Sequence, residues 1–396
     1  MRVLAVVAPL RTKGNIVGGA ERRFTMIDHE IRRYGVQFIC LKLETATASN
    51  LKGSHWFGRN GYTDTIKSLI QALRIVRLWN CAGIYVYHAD RANCMTIGLL
   101  VNKLLRKPLF VVVHDDAGKG RDTVSLRRLF SSELSIGRQP KLAIAKTLAA
   151  WMKRIGVRWA EACFCPSFST ARYVRDDLHA RRVVVSRNGV EMPQGYPRSP
   201  KRFDGIFVGR VDPLKGIDVL VSAWKIVTSK KPNARLVIVG APGRESDLVT
   251  LRNSLTAYGL TDNVQVRDCV DDLQLSELLF SSSIFILPSR REGFGLAALE
   301  ALAHGVPCIL TDLPALRENF GKSAIFVPRN DGGSLARETL NLLDDQERQR
   351  RMATEGVKLA RCLGWAAVAA KEALAINRVV QRILPVRPPS PDRISE

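Results

Sequence analysis

Apolar residues in this chain come in short bursts at regular intervals. "RVLAVVAP" is followed by a glycine-bearing loop, "LRTKGNIVGGAE", then a helical stretch to Tyr34 and a second burst, "VQFICLKL". Further bursts at "GIYVYHA", "PLFVVVHDD" and "ACFCPS" are separated by helix-compatible segments. Continuous apolar runs of this length, alternating with helices, predict a parallel sheet covered on both faces.

"RNGVEMPQGYPRSPKRFDG" interrupts the rhythm with a density of Pro and Gly that suits a connection between domains. A second α/β series follows, with bursts at "GIFVGR", "ARLVIVGAP", "VQVRDCV", "IFILPS", "PCILTD" and "AIFVP". Helical segments such as 217–230 and 273–280 lie between them. The last helical stretch, 364–383, is free to pack onto either half, and the tail "LPVRPPSPDRISE" reads as unstructured. Open parallel sheets bind ligands beyond the carboxyl ends of their strands, so two such sheets facing each other put a ligand in the cleft between them.

Composition adds two points. At 396 residues, 46% hydrophobic and 24% charged, the chain is globular and long for a single core. The net charge of +23 is uneven: residues 1–200 hold 33 Lys and Arg against 14 Asp and Glu, and 201–396 hold 27 against 23. A basic first half attracts nucleic acid, acidic lipid headgroups or phosphorylated molecules without choosing among them. No aromatic–basic recognition motif accompanies it, so no specific nucleic-acid partner is expected. No apolar run approaches the roughly 18–20 residues of a membrane span, and "MRVLAVVAPLR" is too short for a cleavable signal, so a cytoplasmic protein is expected. The eight cysteines are scattered without metal-ligand spacing and read as buried thiols.

Four stretches place chemistry at the sheet edges. In "SRREGFGLAALEALAHGVPCILTD", a loop with Gly293 and Gly295 leads into a helix carrying Glu300, eight positions after Glu292. The glycines admit close approach of a ligand, the helix start suits an anion, and two carboxylates suit a hydroxyl-rich ligand. The same spacing fits a surface helix with an acidic N-terminus. In "FVGRVDPLKGID", Arg210 and Lys215 follow a strand, either holding a diphosphate or standing as surface cations. "VGGAE" sets Gly18 and Gly19 before the first helix but lacks the G-x-G-x-x-G spacing of a nicotinamide-binding turn. "VVVHDD" puts His114 at a strand end, where packing and ligand binding are both open.

Together these residues carry a resemblance. "EGFGLAALEALAHGVPCILTD" resembles the E-x7-E segment of retaining family 4 glycosyltransferases, the glycosyltransferase group 1 family. "GGAERR", "SRNGVE", "FVGRVDPLKGIDVLVSAW", "LVIVGAPG" and "DNVQVRDCVDDLQLSELLFSSSIFILPSRREGFG" are similar to that family's other blocks, in order. The likeness spans nearly the whole chain and is thinner over 46–159. It implies a GT-B fold of two Rossmann-like α/β domains: an acceptor-side domain at 1–192, a linker at 193–203 and a nucleotide-sugar domain at 204–368. A helix at 369–384 is expected to cross back to the first domain, ahead of a disordered tail at 385–396.

The resemblance further implies transfer of a hexosyl group, with retention, from a UDP- or GDP-sugar to a glycan, lipid-linked or small-molecule acceptor. By position, Arg210 and Lys215 would hold the donor diphosphate and Glu292 the sugar hydroxyls. The N–H groups of Gly293, Phe294, Gly295 and Leu296 would meet sugar and phosphate, Glu300 the ribose and Val270 the base. Gly18 and Gly19 would close over the phosphates, and His114 would sit near the donor sugar. No D-x-D sequence occurs in the chain, so no metal and no cofactor are expected. "TDLPALRE" departs from the family's Gly-Gly pair and puts the loop before Glu318 in doubt. Two rivals remain: an epimerase or hydrolase of the same fold, and a non-catalytic nucleic-acid-binding protein. In the basic half, "KTLAAWMKRIGVRWAEA" sets Leu148, Trp151, Met152, Ile155 and Trp159 on one stripe. Such a helix either packs on the sheet or lies on an anionic membrane, with an anionic or lipid-linked acceptor and a peripheral place at its inner face.

Overall fold

Among the described residues, the bursts of apolar residues become twelve strands in two sheets. The structure, a computed structural model, describes residues 1–7, 19–43, 59–115, 140–195, 200–268 and 270–383. The Gly18 expectation and the tail at 385–396 lie outside these residues.

In the first domain the elements run β1 (Arg2–Val7), α1 (Gly19–Ile31), β2 (Gln37–Lys42), α2 (Arg59–Leu78), β3 (Gly83–Val86), α3 (Ala92–Leu105) and β4 (Leu109–Val112). They continue with α4 (Pro140–Trp159), β5 (Ala162–Cys165), α5 (Phe168–Asp176) and β6 (Val183–Val185). The second domain runs β7 (Phe203–Val208), α6 (Ile217–Lys230), β8 (Leu236–Val239), α7 (Glu245–Ala257), β9 (Val264–Arg267), α8 (Asp272–Phe280) and β10 (Ser282–Leu287). Then come α9 (Leu296–Ala303), β11 (Cys308–Thr311), α10 (Pro314–Phe320), β12 (Ala324–Val327), α11 (Gly332–Asp344), α12 (Gln346–Arg361) and α13 (Trp365–Ile383). The strand orders are β2-β1-β3-β4-β5-β6 and β12-β11-β10-β7-β8-β9, and every pairing is parallel.

Period-two alternation divides the first domain's core. Leu4, Val6, Ile84, Val86, Leu109, Val111 and Cys163 face α2, α3 and α4. Val3, Ala5, Tyr85, Tyr87, Phe110, Val112 and Phe164 face the other way, onto α1 and α13. The stripe of α13 that covers them, Trp365, Val368, Ala369, Ala373, Ile376 and Val380, keeps helical spacing. Within that stripe Glu372 is fully buried; its carboxylate meets the Arg23 guanidinium and accepts from Ser186 Oγ at 2.5 Å and Tyr85 Oη at 2.7 Å. The final helix therefore crosses back to the first domain, as the resemblance implied. Its crossing runs beside the earlier one: the Val190 N–H donates to Leu363 O at 2.8 Å, and a Cβ on Gly189 would lie 2.5 Å from the Trp365 nitrogen.

Two sequence expectations need correction. Cys81, Cys94, Cys163, Cys165 and Cys308 are buried thiols, and burial pushes Cys94 and Cys163 up to about 12, but Cys40 and Cys362 are exposed. In α4 the predicted stripe is split: Met152 and Ile155 pack on the core, while Leu148, Trp151 and Trp159 are exposed. Lys153, Gly156, Val157 and Ala160 turn inward beside them. A Cβ on Gly156 would collide with Met95 Sδ at 1.9 Å, so this glycine lets α4 close onto α3. The buried Lys153 pairs with Asp90 at 2.8 Å and lies over the Tyr173 ring.

Candidate active site

Chain order fixes where a ligand fits in the second sheet. From β7 the chain steps outward to β8 and β9, then returns to place β10 on the other side of β7. The chain leaves β7 and β10 in opposite directions along the sheet, and such a switch point is where open α/β sheets place a ligand crevice beyond the strand carboxyl ends. The β7 loop carries Arg210 and Lys215; the β10 loop carries Ser289 to Gly295. They touch backbone to backbone: Gly216 has φ +70°, and a Cβ there would lie 2.0 Å from Pro288 O.

Seven paired side chains fix the crevice wall. Asp212 caps a 3-10 turn, Pro213–Lys215, accepting from the Lys215 N–H at 3.1 Å, and holds Arg210 at 3.0 Å. The Lys215 ammonium then reaches Glu292 Oε1 at 2.5 Å, and Ser289 Oγ donates to the same oxygen at 2.9 Å. Arg290 clasps the two loops: its guanidinium forks onto Asp218 at 2.7 and 2.6 Å and donates to Pro213 O, while its N–H donates to Leu214 O at 2.8 Å. This fork holds the Asp218 carboxyl below its usual range. Lys215 and Glu292 are mostly buried; Arg210 is 61% exposed.

The glycines of the β10 loop also serve protein contacts. A Cβ on Gly293 would lie 1.8 Å from His114 O of the first domain, so its missing side chain lets the domains meet. Gly295, at φ +92°, enters α9 against Leu316 and Phe320. It provides no side-chain cap for α9, whose first N–H groups remain available to an anion. Phe294 and Leu296 are buried, Phe294 against Phe320 at 5.9 Å and Leu296 in the first-domain cluster. Val270 is likewise buried, just before Asp271, which caps α8.

Glu300 is not a surface residue. Its side chain is 12% exposed and pairs with Arg22 Nε of α1 at 3.1 Å, while Arg22 also reaches Asp272 at 2.9 Å. Burial raises the Glu300 pKa and the Arg22 charge opposes the rise. Gly19 opens α1, which Tyr87 holds by donating from Oη to Ala20 O at 2.6 Å.

His114, half-buried, packs on the Tyr87 and His88 rings, with Nε2 2.9 Å from Tyr87 O. A carbonyl only accepts, so Nε2 carries the proton and Nδ1 the lone pair. Burial, with His88 and Arg23 nearby, lowers its pKa to about 3; it stays neutral at working pH. At that basicity the ring is a weak proton acceptor, and its backbone carbonyl over Gly293 is the nearer link to the crevice.

Arg22, Asp212, Ser289 and Arg290 were not singled out from sequence, although all lie inside or beside the quoted motifs. Their signal was adjacency; Asp212 and Ser289 pair within their own loops, whereas the partners of Arg22 and Arg290 come from other elements. Glu318, left in doubt, lies with both carboxylate oxygens 3.0 Å from the Ser169 N–H at the start of α5, a further contact between domains. Among the described residues no group of three or more His, Cys, Asp or Glu is arranged to hold a metal ion.

Comparison with known proteins agrees with this architecture. The model for glycosyl transferases group 1 matches residues 191–359, and that for glycosyltransferase family 4 matches residues 17–192. The D-inositol 3-phosphate glycosyltransferase of Thermobispora bispora is 31% identical over 186 residues, covering 45% of this chain and 44% of that protein. Its counterpart in Corynebacterium glutamicum is 33% identical over 181 residues, 44% of this chain and 43% of that one. The match thus spans less than half the length of these curated relatives. Among solved structures, sucrose-phosphate synthase from Thermosynechococcus elongatus superposes with a TM-score of 0.76 at 17% identity, over 96% of this chain and 99% of that one. HepE of Anabaena, solved with UDP-glucose, gives 0.70 at 17% identity, over 96% and 100%. At such identities the likeness is one of fold, the two-domain GT-B arrangement.

Proposed function

The chain belongs to the group 1 glycosyltransferases of family 4, and we propose that its crevice transfers a hexosyl group, with retention, from a UDP- or GDP-sugar to an acceptor hydroxyl. The observation that carries this reading is the Lys215–Glu292 pair at the crevice between β7 and β10. Both contacts of Glu292 fall on Oε1, so Oε2 remains for a sugar hydroxyl. Lys215 and Arg210 face the departing diphosphate with the uncapped N–H groups of α9. As the anomeric C–O bond to phosphate breaks, negative charge grows on that phosphate, and preorganised cations and N–H groups lower the barrier. The acceptor oxygen bonds to the anomeric carbon on the face the diphosphate leaves, and its proton passes to a diphosphate oxygen.

In this scheme Glu300 accepts from the ribose hydroxyls and backbone at Val270 meets the base. Gly18 and Gly19 close over the phosphates, and His114 positions the sugar through its carbonyl. The positive charge comes from Arg210 and Lys215 rather than a divalent ion. The basic first half favours an anionic or lipid-linked acceptor. No described helix is long and apolar enough to cross a membrane.

Thermal shifts with UDP, GDP and ADP, followed by nucleotide release from the matching sugars, test the proposal. One nucleotide is expected to stabilise the protein, and EDTA to leave turnover unchanged. Lys215→Ala and Glu292→Ala are each expected to lower kcat by about 10²–10³-fold. Stabilisation by no nucleotide, with turnover unmoved by either substitution, would sink it. Free or epimerised sugar in place of a glycosylated product would point to the rival chemistry on the same fold.

A further inference from the structure

The outer wall of the first domain has a one-sided composition that the crevice does not use. Helices α2, α3 and α4 form one layer on the same face of the first sheet, with α3 between the other two. Residues 66–79, 92–107 and 147–159 of this layer and its ends contain nine Lys and Arg, of which Lys153 alone is buried, turned onto Asp90, and no Asp or Glu. Large apolar side chains stand out from the same helices: Leu78 is 80% exposed, Leu104 59%, Trp151 58% and Trp159 47%. Exposed Arg77, Lys103 and Arg158 lie among them. On α4 the exposed tryptophans are the counterpart of an inward Lys153, which reverses the usual assignment of apolar and charged faces.

We propose that this three-helix wall is a docking surface for an anionic lipid bilayer. Tryptophan and leucine flanked by Lys and Arg suit the headgroup boundary, where apolar rings enter the acyl edge and cations meet phosphate. The absence of acids in the three segments removes the repulsion an anionic surface would otherwise meet. The orientation is also suitable. Leu78, Leu104 and Trp159 lie at or near the carboxyl ends of helices that run back to the strand starts, whereas the crevice opens beyond the strand ends. A bilayer held on this wall leaves the crevice open to a soluble donor. The inference does not depend on the chemistry assigned to the crevice.

Flotation of the full chain with vesicles of phosphatidylcholine alone, and of phosphatidylcholine mixed with phosphatidylglycerol, tests it. Binding is expected only to the anionic vesicles, weakened by salt and accompanied by a blue shift of tryptophan emission. Lys103→Glu with Arg158→Glu, and separately Trp151→Ser with Trp159→Ser, are each expected to cut binding at least tenfold at unchanged Tm. Lys230→Glu with Lys322→Glu, on the second domain, is expected to leave it intact. No binding to either vesicle overturns the proposal, as does binding indifferent to both pairs on the wall. Retention on duplex DNA with no dependence on the tryptophans would make the wall a general polyanion surface and overturn it. So would a dimer in solution that the tryptophan pair dissolves, which would assign the wall to a second copy.

Discussion

Both sheets hold six parallel strands, yet the second gathers its core into one cluster from residues 190–360, whereas the first is finished on one face by a helix from the far end of the chain. The polar sites follow the same division. Arg210, Asp212, Lys215, Ser289, Arg290 and Glu292 are paired within the second domain, so that wall is set by one folding unit. Arg22, Arg23 and His114 of the first domain have partners or packing neighbours contributed by the second domain or the final helix. A site built by one domain is preorganised; a site shared between two depends on how they close.

The strongest way to break this comparison is Glu372→Ala. It leaves the Arg23 charge buried without its carboxylate and is expected to cost about 3–5 kcal/mol. Calorimetry should then show the first domain melting ahead of the second. One cooperative transition at an unchanged Tm would mean that α13 is not needed to complete the first sheet.

Acid is expected to act on the same half. His114 has a folded-state pKa of about 3, below its ordinary value, so its neutral burial contributes stability that is full above about pH 6.5 and fades as pH falls toward 3. The loss at pH 4 is about 3 kcal/mol by linkage. His88, lowered to about 4 by burial and Arg91, acts in the same direction. Denaturant midpoints between pH 7 and 4 should fall, and His114→Asn should flatten the slope. An unchanged slope in that variant would assign the acid sensitivity elsewhere.

Gly293→Ala sharpens the comparison at the contact itself. The added Cβ would sit 1.8 Å from His114 O, so the domains must separate there. At least a tenfold loss of kcat/KM is expected, about 1.4 kcal/mol, with the second domain's stability unchanged. The smallest effect is expected from Glu318→Ala, which removes an acceptor at the start of α5 and should cost about 1 kcal/mol. Loss of several kcal/mol would make that contact a main fastening between the domains.

Much of this was readable from the residues in order. Strand bursts, the Pro and Gly interruption and the motif loops gave two α/β domains and put Arg210, Lys215, Glu292 and Glu300 at sheet edges. The partners were not readable. Glu300 looked equally like a surface glutamate because Arg22 is far away in sequence, and the domain contact at Gly293 was hidden because nothing local announces the His114 carbonyl above it. The α4 stripe divides for a related reason: helical periodicity finds an apolar face, but Gly156 against Met95 sets the rotation that packs Met152 and Ile155 and leaves Trp151 and Trp159 outside.

By itself, then, the sequence determined the alternation of strands and helices and the positions of the candidate groups along the chain, because backbone period and loop chemistry are local. Only the tertiary structure decided which charge meets which and which glycine admits another domain. It also decided that Trp151 and Trp159 stand outside while Lys153 lies within. Those outcomes depend on distances between segments far apart in the chain, and no local pattern records them.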